Sequence, residues 1–370
     1  MKFSTSKQEL QNGLQKIIKA TPTRSTLPIL SCVYIKTTET KTILRATDLE
    51  ITIQTEIPVS VEEKGSICLP IKTLLDITNE LPETRITISE SNLNTTIYTD
   101  FGKYNLMAKP ADEFPKTPQI EKQQEFEISG DIIKNIIKST FFAISKDELK
   151  PALTGVLFRI KEGTITAVST DGHRLVRYIE KNIKLNKIEG DFIAPRKFLS
   201  FLQTQNLNKK INLILGDNYI AAHLEKDTVI TRLIDERFPD YNSVIPNDNI
   251  KELKVVKKDF LSAIKRVSIF SNKSTHQVAI KLKEKNVCEI LTEDPEKSSK
   301  AQESLSVDYN GDDLTIGYNA EYLKDVVSHI STDEVIINFN TSISAALFNP
   351  IGKKEKTEVL MLLMPIRLND

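Results

Sequence analysis

The 370-residue sequence has no tryptophan, three cysteines and no net charge, with 50 basic residues set against 50 acidic ones. Each scarcity narrows the field. Cys32, Cys68 and Cys288 are far apart, odd in number and form no CxxC pair. That spacing argues against a disulfide framework or a cysteine zinc site and fits a reducing compartment. Zero net charge counts against a domain that holds nucleic acid by bulk attraction, although it permits positive charge gathered on one face. No aromatic residues interleave with the cations, so stacking on single-stranded bases is not expected. The opening MKFSTSKQEL lacks the apolar core of a signal peptide, and no stretch of ~18 apolar residues exists to span a membrane. A cytoplasmic protein is the expectation.

Catalytic signatures are missing as well. There is no GxSxG elbow, no GxxxxGK[ST] loop and no GxGxxG fingerprint. His173, His223, His276 and His329 form no HxH or HxxxH pair, so neither a metal nor a cofactor is expected.

What the chain does have is a threefold internal repeat. Phe3, Leu10, Leu14 and Ile17 recur as Phe126, Ile133, Ile137 and Thr140, and again as Leu253, Phe260, Ile264 and Val267. The first residue opens a strand; the other three follow with helical spacing and share one helix face. Pro70, Pro195 and Asn319 mark the start of a second helix in each third. The prolines suit the first helical turn and the asparagine suits the cap. Leu74, Leu199 and Leu323 come next, then Ile77, Leu202 and Val326. Pro115, Pro239 and Pro365 close each third after two β-patterned runs. These landmarks predict an α+β chain of three similar domains, 1–125, 126–249 and 250–370, each with two helices on antiparallel sheets and roughly eight strands. Linkers are expected near Pro118 and Pro246.

The segment TDGHRL, residues 170–175, raises the functional question. Its Thr-Asp has a counterpart at Asp48 and a looser one in LTEDPE, so an Asx turn is the ordinary reading of Asp171. Gly-His-Arg-Leu occurs only in the middle third and exceeds what such a turn requires. A hydrolase using Asp171 and His173 is one alternative, and a triplicated scaffold that binds only proteins is another. The six predicted helices together carry a net +6, leaving −6 elsewhere. Either these are ordinary solvated faces or they form a patchy basic surface for sequence-independent phosphate contact.

Several segments together resemble one family, the bacterial sliding clamp or DNA polymerase III β subunit. They are MKF, TLPIL (26–30), ATDLE (46–50), ADEFP (111–115), TDGHRL (170–175), APRK (194–197), RFPDY (237–241) and MPIRL (364–368), spread over the whole chain. The resemblance implies a non-enzymatic homodimeric ring of six clamp domains. Such a ring encircles double-stranded DNA and tethers the polymerase III catalytic subunit, the clamp loader, and other polymerases and repair proteins through short peptide motifs.

By motif match, the resemblance implies a peptide groove formed by Leu153, Thr170, Gly172, His173, Arg174, Leu175, Pro239, Val244, Leu362, Leu363, Met364, Pro365, Ile366 and Arg367, with Asn319 and Tyr322 at its edge. It implies DNA-facing cations at Arg24, Lys134, Lys138, Arg196, Lys197, Lys265 and Arg266, and a dimer joint between Tyr104–Leu106 and Ile269–Phe270. Ile269 and Phe270 read equally as core. Departures from the family pattern are Ser243, where a basic residue is common, Asp147 and Glu148, which would repel phosphate, leucine at 362 and 363, and the extra Asn369 and Asp370.

Overall fold

The computed structural model describes all residues except 122–123, 185–187, 285, 353–354 and 369–370, so the extension at Asn369 and Asp370 lies outside the described residues. The six expected helices form: α1 (Lys7–Ile17), α2 (Ile71–Glu80), α3 (Gly130–Thr140), α4 (Arg196–Gln203), α5 (Lys257–Ser268) and α6 (Ala320–His329). The described strands number ten, eight and nine in the successive thirds, against an expected eight or so in each.

The repeated pattern maps onto one local device. A strand (Lys2–Ser6, Gln124–Ser129 or Lys251–Val256) runs straight into α1, α3 or α5. All twelve repeated positions are buried, from Phe3 to Val267. Thr140, the single polar member, donates its hydroxyl hydrogen to the Ile136 carbonyl at 2.7 Å, which lets it sit inside without an orphaned polar group. Each buried Leu, Ile or Phe stabilises the fold by about 1.5–3 kcal/mol, so burial rather than helix propensity holds these short helices. Ser6 caps α1 by accepting the Glu9 N–H at 3.1 Å. Asn319 caps α6 by accepting from Glu321 and Tyr322. Pro70 occupies the cap of α2 rather than its first turn. The residues expected to follow Pro70, Pro195 and Asn319 are buried except Ile77, which is only half-buried beside a buried Thr78.

Two nine-stranded antiparallel sheets organise the chain. In the first, Ile51–Pro58 of the opening third pairs with Asp227–Arg232 of the middle third. In the second, Arg174–Glu180 of the middle third pairs with Thr357–Leu363 of the last. A five-stranded sheet ends at Gly102–Met107, and a four-stranded sheet ends at Ser299–Ser306. By compactness the chain falls into two units, Met1–Gly130 with Ser200–Leu233, and Asp131–Leu199 with Ile234–Asp370. Each unit holds one complete nine-stranded sheet. The middle third is divided between them because each half of its strands is hydrogen-bonded into a sheet with a neighbouring third.

Candidate functional site

The TDGHRL turn joins the strands Thr164–Thr170 and Arg174–Glu180. Asp171 Oδ1 accepts the backbone N–H groups of His173 and Arg174, both at 3.0 Å. The Thr170 hydroxyl donates to the Arg174 carbonyl at 2.7 Å and accepts the Gly172 N–H at 3.1 Å. This is the expected Asx turn. Gly172 takes φ +90, a left-handed conformation that glycine adopts without strain. The Asp48 turn is built the same way, with Oδ1 accepting from Glu50 and Ile51. The third repeat departs from it. Asp294 is buried and accepts from the Asn272 side chain, and the chain continues into a 3-10 segment, Pro295–Lys297. Proline following Asp294 removes a backbone N–H that such a turn would use.

Beyond the turn, the middle repeat is distinct. Arg174, expected in the groove wall, has its guanidinium engaged within the chain. Nε donates to Asp171 Oδ2 at 3.0 Å, Nη1 to Asp325 Oδ2, and Nη2 to the Phe142 carbonyl at 2.8 Å. The cation also lies over the Tyr322 ring at 4.7 Å and the Phe142 ring at 5.2 Å. Its side chain is only 9% exposed, as suits a charge this fully paired. His173 is exposed and stacks on Tyr322 with centroids 5.5 Å apart, and its carbonyl accepts the Met364 N–H at 2.8 Å. Ile366 N–H donates to the Gly317 carbonyl at 2.9 Å, fastening the chain's last segment alongside α6's entry strand.

An apolar cluster adjoins this wall. Leu157, Val168, Leu175, Ile193, Tyr241, Ala345 and Leu362 are its buried members, and Ala152, Phe238, Ile245 and Leu360 pack against them half-buried. Of the residues expected in the groove, Leu175 and Leu362 form its floor, paired directly across adjacent strands. Val244 and Met364 expose apolar surface, at 52% and 41%. Pro239, Gly172 and Arg367 are exposed, Leu153 is buried, and Pro365 and Ile366 are half-buried. Leu363 is a correction. Strand alternation turns it to the opposite face, where it is buried in the core around Phe260 and Tyr318, so it contacts no groove. Ser243 is exposed, and its hydroxyl donates to the Asp240 carbonyl at 2.7 Å. Motif matching missed Asp325 and Phe142. Asp325 lies 151 residues from Arg174 and no local pattern marks it. Phe238 and Tyr241 sat unnoticed within RFPDY, where their burial is the only signal.

The expected DNA-facing cations divide into two groups. Arg24, Lys134, Lys138, Lys197 and Lys265 are exposed. Arg266, also exposed, forms a two-pronged ion pair with Glu303, at 2.7 and 2.6 Å. The hydrogen bonds raise the pKa of the arginine and lower that of the carboxyl. Arg196 lies over Phe141 at 4.9 Å, half-buried. Asp147 and Glu148 are exposed, as their place in a loop suggested. Ile269 and Phe270 are 77% and 44% exposed, which removes the core reading. Tyr104 and Leu106 are half-buried on the edge strand Gly102–Met107.

Comparison with known proteins accounts for nearly the whole chain. Family models described as the DNA polymerase III beta subunit match in order: the N-terminal domain over residues 1–118, the central domain over 127–240 and the C-terminal domain over 242–367. The chain is 30% identical over 381 residues to a beta sliding clamp of Staphylococcus epidermidis, covering 99% of both. It is 29% identical over 373 residues to that of Chlamydia muridarum, covering 100% of both. Its fold is similar to the DNA polymerase III subunit beta of Pseudomonas aeruginosa bound to griselimycin (TM-score 0.92, 28% identity, full coverage of both chains). It is equally close to the DNA polymerase sliding clamp of Bacillus subtilis (TM-score 0.93, 27% identity, full coverage of both).

Proposed function

Because the chain belongs to the DNA polymerase III beta subunit family, the bacterial sliding clamps, we propose that its three clamp domains span 1–125, 126–249 and 250–370 and close into a ring with a second copy. The chain is a DNA sliding clamp, the processivity factor that tethers a polymerase to duplex. One observation supports closure above all. Each nine-stranded sheet joins five strands of one third to four of another. The two shorter sheets have five and four strands, and one ends at Gly102–Met107, the other at Ser299–Ser306, with no further strand paired there among the described residues. Paired between copies, they would make the missing nine-stranded sheets.

The register of that pairing follows from the internal joints. Counting from hairpin to hairpin, Thr55 and Tyr178 are counterparts, as are Asp227 and Val359, and each joint sets one such pair face to face. The same count leads to Glu303 and Gly102. Tyr104 of one copy would then lie opposite Ala301 of the other, and Leu106 opposite Ser299, with the exposed Ile269 and Phe270 nearby. Two such joints related by a two-fold axis close a homodimer and leave no strand edge exposed at the joints.

Retention on DNA is topological, so strong attraction is unnecessary. Arg24, Lys134, Lys138, Lys197 and Lys265, all exposed, would provide weak, sequence-blind phosphate contacts, with Arg196 and Arg266 beside them. The apolar floor at Leu175 and Leu362, rimmed by Val244, Met364, His173 and Tyr322, suits an aliphatic or aromatic peptide anchor from the polymerase, the clamp loader or repair proteins. On this reading Asp171 and His173 shape a wall and carry out no chemistry, and the protein works on the chromosome, in the cytoplasm.

Loading onto closed circular duplex tests the ring. Loaded protein should stay on circles at a salt concentration that strips ordinary DNA-binding proteins, and should leave once the circle is cut. Equal retention on linear duplex would refute enclosure.

A further inference from the structure

We infer that Arg45, in the first third, anchors a separate docking site that takes the carboxylate of an acidic peptide. The inference does not depend on the groove reading above. It comes from setting two arginines side by side. Arg174 lies over the rings of Tyr322 and Phe142, at 4.7 and 5.2 Å, and Arg45 over those of Tyr34 and Phe114, at 4.4 and 5.4 Å. Arg174 pairs with two carboxylates, Asp171 and Asp325. Arg45 pairs with none among the described residues. There it donates only from Nη1, to the Thr117 hydroxyl, and its buried Nε–H has no partner. The polar neighbours that act on the cation are the Tyr34 phenol and the Cys68 thiol, both neutral near pH 7, while burial drives its pKa down. Lys109 acts on the same thiol, which adds a second cation against the exposed carboxylate of Glu113.

A half-buried guanidinium without a counter-ion is unfavourable, and an anion supplied from outside relieves it. The surroundings define that anion. Arg45 stands on the sheet face turned away from α1, because Leu44 and Ala46 on either side of it are buried. Tyr34 and Gln54 are its direct neighbours across the two flanking strands. Gln54 is half-buried, and its amide bonds nothing among the described residues, so it holds further N–H donors in reserve. Ile29 packs half-buried on the cluster of Cys32, Cys68 and Phe114, and Leu49, in the turn that ends the Arg45 strand, is 48% exposed. These neighbours fit an aspartate or glutamate beside an aliphatic residue, with the carboxylate pairing the guanidinium in a fork.

The test uses the full-length protein with isotope-labelled arginine and follows each Nε–H signal by NMR. The probes are acetyl-aspartyl-leucine amide, its asparagine counterpart and sodium acetate, all at one ionic strength. Arg45→Lys identifies the Arg45 signal by its loss. The aspartyl peptide should move that signal saturably, bind about tenfold more tightly than either other probe, and weaken in high salt. The Arg174 signal, whose Nε–H already pairs with Asp171, should stay in place. Arg45→Met should abolish the binding measured by calorimetry and leave the protein no less stable in urea, since it removes an uncompensated charge. An Arg45 signal that no probe moves would overturn the site. Acetate matching the aspartyl peptide would overturn the peptide partner and leave a free carboxylate as the ligand. Movement at Arg174 alone would place the peptide in the middle third and refute the proposal as well.

Discussion

The turns at Asp48 and Asp171 share a backbone and differ in what lies beneath them. In both, the aspartate accepts two N–H groups two and three residues on. The residue after the aspartate is left-handed in each, Leu49 at φ 78 and Gly172 at φ 90. The contrast begins with the fourth residue, a buried apolar Ile51 in one and the ion-paired Arg174 in the other. It deepens below. Where the middle repeat has Val168 in an apolar floor, the first has Arg45, over the Tyr34 ring at 4.4 Å and the Phe114 ring at 5.4 Å. Burial lowers the pKa of Arg45, and its buried Nε–H has no hydrogen-bond partner among the described residues. An apolar anchor entering there would have to bury that cation further, which is costly. The two turns match, but only the middle one adjoins an apolar floor without a buried cation, as the proposed peptide groove requires.

Three measurements bear on this contrast. The largest effect is expected from placing the first repeat's residue in the second. Arg174→Ile leaves Asp171 and Asp325 without their cation and should cost about 3–5 kcal/mol in urea unfolding, whereas Ile51→Val should cost about 1 kcal/mol. Equal losses would break the comparison. A second effect comes from alkali. Cys68, in the first repeat's cluster, has its thiol pushed up to about 12 chiefly by burial, with neighbouring Cys32 adding to the shift. A pKa raised on folding gives stability that is full below the unfolded value near 9 and is lost as pH climbs toward 12. The slope should reach at most ~1.4 kcal/mol per pH unit from this group. Cys68→Ile, which installs the residue of the middle repeat's counterpart, Ile193, should flatten it; an unchanged slope would assign the effect elsewhere. The smallest effect separates the left-handed positions. Gly172→Leu should lower stability by about 1 kcal/mol through backbone strain, while Leu49→Gly should shift it by less than about half that, since exposed Leu49 gives up strain but gains unfolded-state entropy. Matching losses would mean that strain is not what distinguishes these sites.

Local pattern carried far in this chain. Repeated apolar spacing located all three strand-to-helix units, and Thr140 took its inward place despite its hydroxyl because the i−4 carbonyl was within reach. The Asx turns at Asp48 and Asp171 were legible because their hydrogen bonds span three residues. Leu363 was misplaced among the groove residues, although alternation with Leu362 already implied opposite faces. The ion pairs of Arg266 and Arg174 were not legible, because their partners, Glu303 and Asp325, lie 37 and 151 residues away.

Sequence alone determined the threefold repeat, the inward face of each helix and the chemistry of the turns, since these depend on neighbours within a few residues. Tertiary structure alone decided which charges are spent internally, which strand edges stay unpaired and which copy of the turn overlooks an apolar floor. Those outcomes depend on sheet seams that bring distant thirds into register, and pairing at such range leaves no periodic trace along the chain.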